Sequence, residues 1–152
     1  HAKLIIDTSQ TNIHELRHLI RTRVVNRPSG TVSLQFISFG FRNGIPDDAD
    51  FVFDVRCLPN PHWEPRLRRF TGLDEQVATF LDAQPEVQRM VTDLGGFLGY
   101  WIPRFEAGDR SYITVAVGCT GGQHRSVYIT ELLARQFRQH RRNVTTRHRE
   151  LR

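Results

Sequence analysis

The chain contains the stretch Gly118-Cys119-Thr120-Gly121-Gly122-Gln123-His124-Arg125-Ser126, placed between an alternating apolar run at residues 112–117 and an amphipathic segment at residues 127–137. This order predicts a β-strand that leads through a glycine-rich loop directly into a helix. Glycine lets backbone N–H groups approach an oxyanion closely, and a helix N-terminus adds about half a positive charge. Arg125 and His124 add side chains suited to phosphate. We therefore interpret this stretch as a phosphate-binding loop.

The segments around the loop alternate between strand and helix patterns. Val32, Leu34 and Phe36 predict a half-buried strand, residues 51–55 a second strand, and residues 143–146 a last short one. Residues 74–81 and 85–100 predict helices, and the proline-rich residues 58–65 predict a stiff, extended loop. Strands separated by helices predict an α/β fold, a mostly parallel sheet flanked by helices.

Composition limits the class of protein. The 152 residues, 39% of them hydrophobic, suit one globular domain, and no run approaches the roughly 20 apolar residues of a membrane-spanning helix. Cys57 and Cys119 do not make a disulfide framework, so reduced thiols are expected. The formal charge is +5, and Lys3 is the only lysine among 21 basic residues. Arginine favours phosphate or nucleic acid, although arginine-rich codon usage would give the same bias.

A ligand crevice in an open parallel sheet lies beyond the carboxyl ends of the strands. Residues 38–42, 54–62 and 119–125 should meet there. Arg125 and the loop amides would bind a phosphate, while Asp54 and Asn60 would bind hydroxyl or amine groups of a sugar. The alternative for Asp54 is a local ion pair with Arg56 that only shapes its loop.

Two stretches of the sequence match catalytic patterns. Cys119-x-x-Gly122-x-x-Arg125-Ser126 matches the core signature of cysteine-dependent phosphatases, with Asp47, Asp48 or Asp54 as the general acid. Gly118 stands where that signature usually has histidine or valine, so binding without reaction is favoured and Cys119–Arg125 catalysis is the alternative. His14-Glu15-Leu16-Arg17-His18 matches a zinc-protease helix pattern, but Arg17 and Arg21 share its polar face. We predict no metal site.

Arginines are dense in the C-terminal segment and recur at three earlier predicted positions. Their density favours a polyanion such as RNA, contacted through its phosphates without base specificity. The alternative is an ordinary solvated helix face followed by a loose tail. The predicted RNA-binding residues are Arg42, Arg66, Arg68, Arg138, Arg141, Arg142, Arg147 and Arg149.

Eight blocks of sequence carry a resemblance to a known family. They are Ser38-Phe39-Gly40-Phe41, Gly44-Ile45-Pro46, Asp48-Ala49-Asp50, Phe53-Asp54-Val55-Arg56, Leu58-Pro59-Asn60-Pro61, Thr71-Gly72-Leu73-Asp74, Gly118-Cys119-Thr120-Gly121-Gly122 and His124-Arg125-Ser126. In these blocks and their spacing the chain resembles the C-terminal domain of the RapZ family, the RNase adapter proteins, over almost its whole length.

The resemblance implies a domain organisation. Full-length members carry an N-terminal P-loop domain that would bind ATP or GTP, and no G-x-x-x-x-G-K-[ST] motif occurs in this chain. Residues 1–25, with a strand pattern at 4–9 and a helix pattern at 12–25, would be the tail of that missing domain and a linker helix. Residues 26–152 would be the C-terminal domain that binds RNA and sugar phosphate, similar to a phosphofructokinase subdomain and without a cofactor of its own.

The resemblance also implies a function. Such a domain would belong to a cytoplasmic, non-enzymatic homo-oligomer that binds small regulatory RNA, presents it to RNase E and senses glucosamine-6-phosphate to control amino-sugar synthesis. It places RNA near Arg142 and the sugar phosphate on Asp54, His62, Thr120, Gly121, Gly122, His124 and Arg125, with Ser111 as a further member. The strand-end argument adds Arg56, Asn60 and Cys119 to this predicted site.

Overall fold

The computed structural model describes residues 32–151. The strand pattern at residues 4–9, the helix pattern at residues 12–25 and the zinc-protease pattern within it lie outside the described residues. The described part contains four strands and three helices: β1 Ser33–Gly40, β2 Phe51–Asp54, α1 Glu75–Asp82, α2 Pro85–Ala107, β3 Tyr112–Cys119, α3 Arg125–Arg138 and β4 Val144–His148.

The strands form one sheet in the order β2-β3-β1-β4, with every neighbouring pair parallel. Gly40 pairs with Cys119, and Asp54 pairs with Gly118. The last residues of β1, β2 and β3 therefore lie side by side at one edge of the sheet. The predicted α/β fold with a parallel sheet flanked by helices is confirmed.

The core has two parts of unequal size. The larger part packs residues such as Phe36 and Val115 of the central strands against Leu98 of α2 and Ile129 of α3, all fully buried. The smaller part, on Ile37, Phe39 and Ala116, is covered by Phe41 and Ala49. The predicted alternation is present from Val32 to Phe36, and because of this second cover β1 is buried on both faces from Phe36 onward.

Prolines behave differently from their sequence interpretation. The segment at residues 58–65 is not extended: Pro61–Trp63 and Pro65–Leu67 form single 3₁₀ turns that bury Pro61 and Leu67. The helix predicted to end at residue 100 continues through Pro103 to Ala107. Burial of Leu98 and Ile102 against the core offsets the backbone hydrogen bond that Pro103 cannot donate. Among residues 32–151 no helix is long and apolar enough to cross a membrane.

Candidate functional site

The glycine-rich loop lies where the sequence placed it, between the end of β3 and the start of α3. Helix α3 begins at Arg125, with His124 as its N-cap, and runs for 14 residues. Its first backbone N–H groups have no partners within the helix and point toward the loop. The helix N-terminus therefore supplies partial positive charge at the carboxyl edge of the sheet.

The glycines of the loop are needed for close packing as well as for any ligand. Gly122 adopts a φ of 77°, in the left-handed region that favours glycine. A Cβ at Gly40, the last residue of β1, would lie 2.5 Å from the carbonyl carbon of Gly121. The loop backbone thus rests directly on the end of β1, which holds its amides in place.

Arg125 is the central side chain of the site and is only 4% exposed. Its Nη1 donates to the carbonyl oxygens of Arg56 at 2.8 Å and Leu58 at 2.9 Å, and Nη2 lies 3.5 Å from Oγ1 of Thr120. Its buried Nε has no hydrogen-bond partner among the described residues. One guanidinium therefore joins the loop after β2 to the loop after β3. Its Nε–H is a further donor of the kind that binds oxyanions.

Two histidines meet beside Arg125. His124 is 8% exposed, and its Nε2 has no hydrogen-bond partner among the described residues. The ring of His62, from the turn Pro61–Trp63, lies 6.4 Å from it between centroids. Burial lowers the pKa of His124, and the neighbouring His62 and Arg125 act in the same direction.

Cys119 does not present a nucleophile to solvent. Its thiol is 2% exposed and donates to Oγ of Ser126 at 3.1 Å. A cysteine that attacks a phosphoryl group must reach it and carry a thiolate. The arrangement instead packs the thiol under the loop as part of the core.

The loop after β2 contributes an ion pair and a capped turn. Asp54 accepts from Nε of Arg56 at 2.9 Å and from Nη2 at 2.7 Å, which lowers the pKa of Asp54. The Arg56 guanidinium also lies 3.9 Å from the centroid of the Phe41 ring. Oδ1 of Asn60 accepts the His62 backbone N–H at 3.0 Å and fixes that turn. The local ion pair considered from the sequence is therefore present.

Ser111 is not brought to this edge. It precedes β3, and its carbonyl accepts from the backbone of Ser33 at the start of β1. The eight residues of β3 separate it from the loop by roughly 26 Å at 3.3 Å per residue. Ser111 is therefore remote from Cys119, and its inclusion in the predicted pocket is corrected.

The predicted RNA-binding arginines divide into two groups. Several serve the fold: Arg141 makes a bidentate, buried ion pair with Glu106 (both bonds 2.9 Å), and Arg149 donates to Glu150 and to the carbonyl of Gly44. Three more make internal contacts from exposed positions: Arg138 with the Val144 carbonyl, Arg68 with the His62 carbonyl and Arg66 with Glu64. The side chains of Arg42, Arg142 and Arg147 are exposed and make no hydrogen bond or ion pair within the described part of the chain.

Arg42 lies beside the glycine loop, as predicted for residues 38–42. Its backbone N–H donates to the Thr120 carbonyl at 3.2 Å, and a Cβ at Gly121 would collide with its guanidinium. A cation without a side-chain partner among the described residues therefore borders the glycine loop.

Glu150 is a residue of the site that sequence reasoning did not select. Its carboxylate accepts the Gly40 backbone N–H at 3.0 Å, and its backbone carbonyl accepts from Nε2 of Gln123 at 3.1 Å. Glu150 thus contacts both the end of β1 and the glycine-rich loop. The available signal was its position as the single acidic residue in the basic C-terminal segment.

Metal ligands do not cluster at the site. Within residues 32–151 no group of three or more histidine, cysteine, aspartate or glutamate side chains is placed to hold a metal ion. The donors at this edge are amides, guanidinium groups and imidazoles, which suit an oxyanion.

Fold and loop together define a class: a small parallel α/β domain with a glycine-rich loop and a buried arginine at a helix N-terminus. The family model of the RapZ C-terminal domain matches residues 32–152, and the chain belongs to that family. A nucleotide-binding protein of Thioalkalivibrio sulfidiphilus is 60% identical over 151 residues, 99% of this chain and 53% of that protein.

Other relatives carry a more specific name. RNase adapter proteins RapZ of Serratia proteamaculans and of Klebsiella pneumoniae subsp. pneumoniae are each 53% identical over 150 residues, again 99% of this chain and 53% of theirs. The chain therefore spans about half the length of the curated relatives it matches.

Proposed function

We propose that this domain is the sugar-phosphate-sensing and RNA-binding half of an RNase adapter protein. The observation that carries the proposal is the pair of buried, unpartnered nitrogens, Nε of Arg125 and Nε2 of His124, at the N-terminus of α3. Buried polar groups in folded proteins nearly always have partners, so two such nitrogens beside a glycine loop support a ligand at this place. A phosphate group matches their charge and geometry.

The sugar would extend from the phosphate toward the loop after β2. His62 lies nearest to His124, and Asn60 and Asp54 follow along the same edge. These groups offer hydrogen-bond acceptors for the hydroxyl and amine groups of a sugar, with the Asp54 carboxylate shared with Arg56. They support glucosamine-6-phosphate, which the family resemblance implies, as the ligand.

Calorimetric titration tests this site. Glucosamine-6-phosphate should bind, and unphosphorylated glucosamine should bind at least tenfold more weakly because the oxyanion contacts are lost. Arg125→Ala removes the central contact, but this buried side chain also joins two loops. Thr120→Val therefore serves as a second variant, since Thr120 is exposed and its hydroxyl is the only group lost. Equal affinity for glucosamine and its 6-phosphate would contradict the proposal.

RNA would lie on the exposed arginines rather than on those used by the fold. Arg42, Arg142 and Arg147 have side chains free to contact phosphodiester groups. The affinity for RNA should fall steeply with added salt, because each neutralised phosphate releases a counterion. Arg147→Ala should weaken binding and reduce the salt dependence by about one ion, whereas a salt-independent affinity would contradict backbone contacts.

The adapter role follows from the relatives named RNase adapter protein RapZ. We propose that the full-length protein presents a small regulatory RNA to RNase E and that it assembles as a homo-oligomer in the cytoplasm. ATP or GTP would bind in the part of the relatives that this chain does not span. Delivery is tested by cleavage of a bound RNA with purified RNase E, with and without the full-length protein; no stimulation would contradict it.

Binding without chemistry fits the geometry better than phosphatase activity. Cys119 is buried and hydrogen-bonded to Ser126, and Asp54 is engaged by Arg56. A sensor returns its ligand unchanged. Release of inorganic phosphate from glucosamine-6-phosphate, abolished by Cys119→Ser, would instead establish the catalytic alternative.

A further inference from the structure

His62 and His124 place two imidazole rings close to the Arg125 guanidinium. His124 caps α3 and is enclosed, whereas His62 is exposed on the turn Pro61–Trp63. Their rings lie 6.4 Å apart between centroids at an angle of 49°. Arg125 follows His124 directly along α3. Three nitrogen-containing groups that can carry positive charge thus lie close together.

Without an anion this arrangement opposes protonation. Burial disfavours a charged His124 ring and lowers its pKa, and the charges of His62 and Arg125 act in the same sense. The backbone carbonyls of Phe70 and Arg68 favour the charged ring but do not reverse the effect. The nearest carboxylate from β2, Asp54, is neutralised by Arg56. In the absence of an anion, burial therefore favours the neutral imidazole of His124.

A doubly charged oxyanion reverses this balance, because an opposite charge within a few ångströms favours the charged ring. We infer that an oxyanion entering the Cys119–Arg125 loop takes up about one proton from solvent onto the His62–His124 pair. The inference rests on the proposed function and adds a regulatory property: ligand affinity rises as the pH falls from about 8 to about 6.

The expected size of the effect follows from proton linkage. If one proton is taken up on binding, the association constant increases by up to tenfold for each unit of decrease in pH. A phosphate ligand loses charge itself near pH 6, which opposes the trend. Sulfate keeps its double charge over this range, so its affinity reports the protonation of the protein alone.

The experiment is calorimetric titration of the chain with sulfate and with inorganic phosphate at about pH 8 and about pH 6. Each titration is repeated in two buffers whose ionisation enthalpies differ. We expect tighter sulfate binding at the lower pH and a buffer-dependent enthalpy that corresponds to about one proton taken up. Sulfate affinity that is equal at both pH values, with no buffer dependence, would overturn the inference. Absence of binding by both anions and by glucosamine-6-phosphate at either pH would instead overturn the proposed phosphate site.

Variants locate the proton. His62→Gln changes an exposed side chain and should preserve the fold while reducing the pH dependence of sulfate affinity. His124→Gln should remove most of it; its folding is checked by thermal unfolding because the ring is buried. The matched control is His140→Gln, an exposed histidine beyond the end of α3, which should keep the full pH dependence. Full pH dependence in both His62→Gln and His124→Gln would place the proton elsewhere and overturn the inference.

Discussion

The carboxylate of Glu150 accepts a hydrogen bond of 3.0 Å from the backbone N–H of Gly40. This bond ties the turn after the last strand to the end of the first strand, 110 residues away in sequence. Glu150 also pairs with Arg149 at 2.8 Å, and its backbone carbonyl holds Gln123 of the glycine loop. The C-terminal turn therefore helps to hold the glycine-rich loop in place.

Replacing Glu150 by Gln should destabilise the domain and hold the glycine-rich loop less firmly against β1. The substitution keeps the shape but removes the charge that strengthens the bonds from Gly40 and Arg149. We expect a loss of about 1–2 kcal/mol in the free energy of unfolding, measured by urea denaturation. Glu86→Gln, an exposed change in the first turn of α2, should cost only a few tenths of a kcal/mol. Equal effects of the two variants would show that the Glu150 bonds contribute nothing.

The same carboxylate predicts a pH dependence of stability. Burial alone raises the pKa of Glu150, but the Gly40 N–H and Arg149 outweigh it and lower the pKa below its ordinary value of 4.5. A group with a lowered pKa stabilises the fold above its unfolded value and loses that contribution as the pH falls through its folded value. The stability difference between wild type and Glu150→Gln should therefore be constant from about pH 5 to 8 and shrink below about pH 4.5. A difference that persisted unchanged in acid would contradict this assignment.

Two glycine-to-alanine substitutions should have opposite effects. A Cβ at Gly40 meets the backbone of Gly121 and Gly122 within 3 Å, so Gly40→Ala should destabilise the fold by about 1–3 kcal/mol. Gly96 is exposed within α2 with nothing near its Cβ position, so Gly96→Ala should stabilise by about 0.5–1 kcal/mol. Thermal and urea unfolding measure both. A neutral Gly40→Ala variant would mean that the loop does not rest tightly on β1.

Adjacent arginines of the basic segment should differ sharply in their roles. Arg141 is paired with Glu106 in a buried position, and the side chain of Arg142 is exposed. Arg141→Ala removes the charged partner of the buried Glu106 carboxylate, which keeps the hydrogen bond from the Val32 backbone N–H, and should cost up to about 3–5 kcal/mol of stability. Arg142→Ala should change stability by less than about 0.5 kcal/mol and should weaken RNA binding instead. Filter binding and urea unfolding of both variants test this; similar stability losses would contradict it.

Thiol labelling should distinguish the two cysteines. Cys57 is exposed and Cys119 is buried. Iodoacetamide should therefore modify Cys57 first, and Cys119 only when the structure opens, as peptide mass spectrometry would show. Glucosamine-6-phosphate should not change this order, in which Cys57 reacts before Cys119. Rapid modification of Cys119 in the folded protein would indicate an accessible thiolate and would favour the phosphatase alternative.

Local signals in the sequence were sufficient for the elements and their order. The apolar runs predicted all four described strands, and the loop between β3 and α3 was located from its glycines and flanking periodicity. Those signals act between near neighbours in the chain. They were insufficient where distant segments decide the outcome: the second cover on Phe39, the continuation of α2 beyond residue 100 and the turns at Pro61 and Pro65 all depend on packing.

The candidate site shows the same division. The sequence by itself determined that a strand, a glycine-rich loop and a helix follow one another, with His124 and Arg125 just before the amphipathic segment, because periodicity and glycine content are local properties. Only the tertiary structure decided that Arg125 reaches the Arg56 and Leu58 carbonyls, that Glu150 supports Gly40, that Arg141 is occupied by Glu106 and that Ser111 is remote. Such contacts join residues far apart in the chain, and their partners are chosen by burial and by hydrogen-bond geometry that no local pattern records.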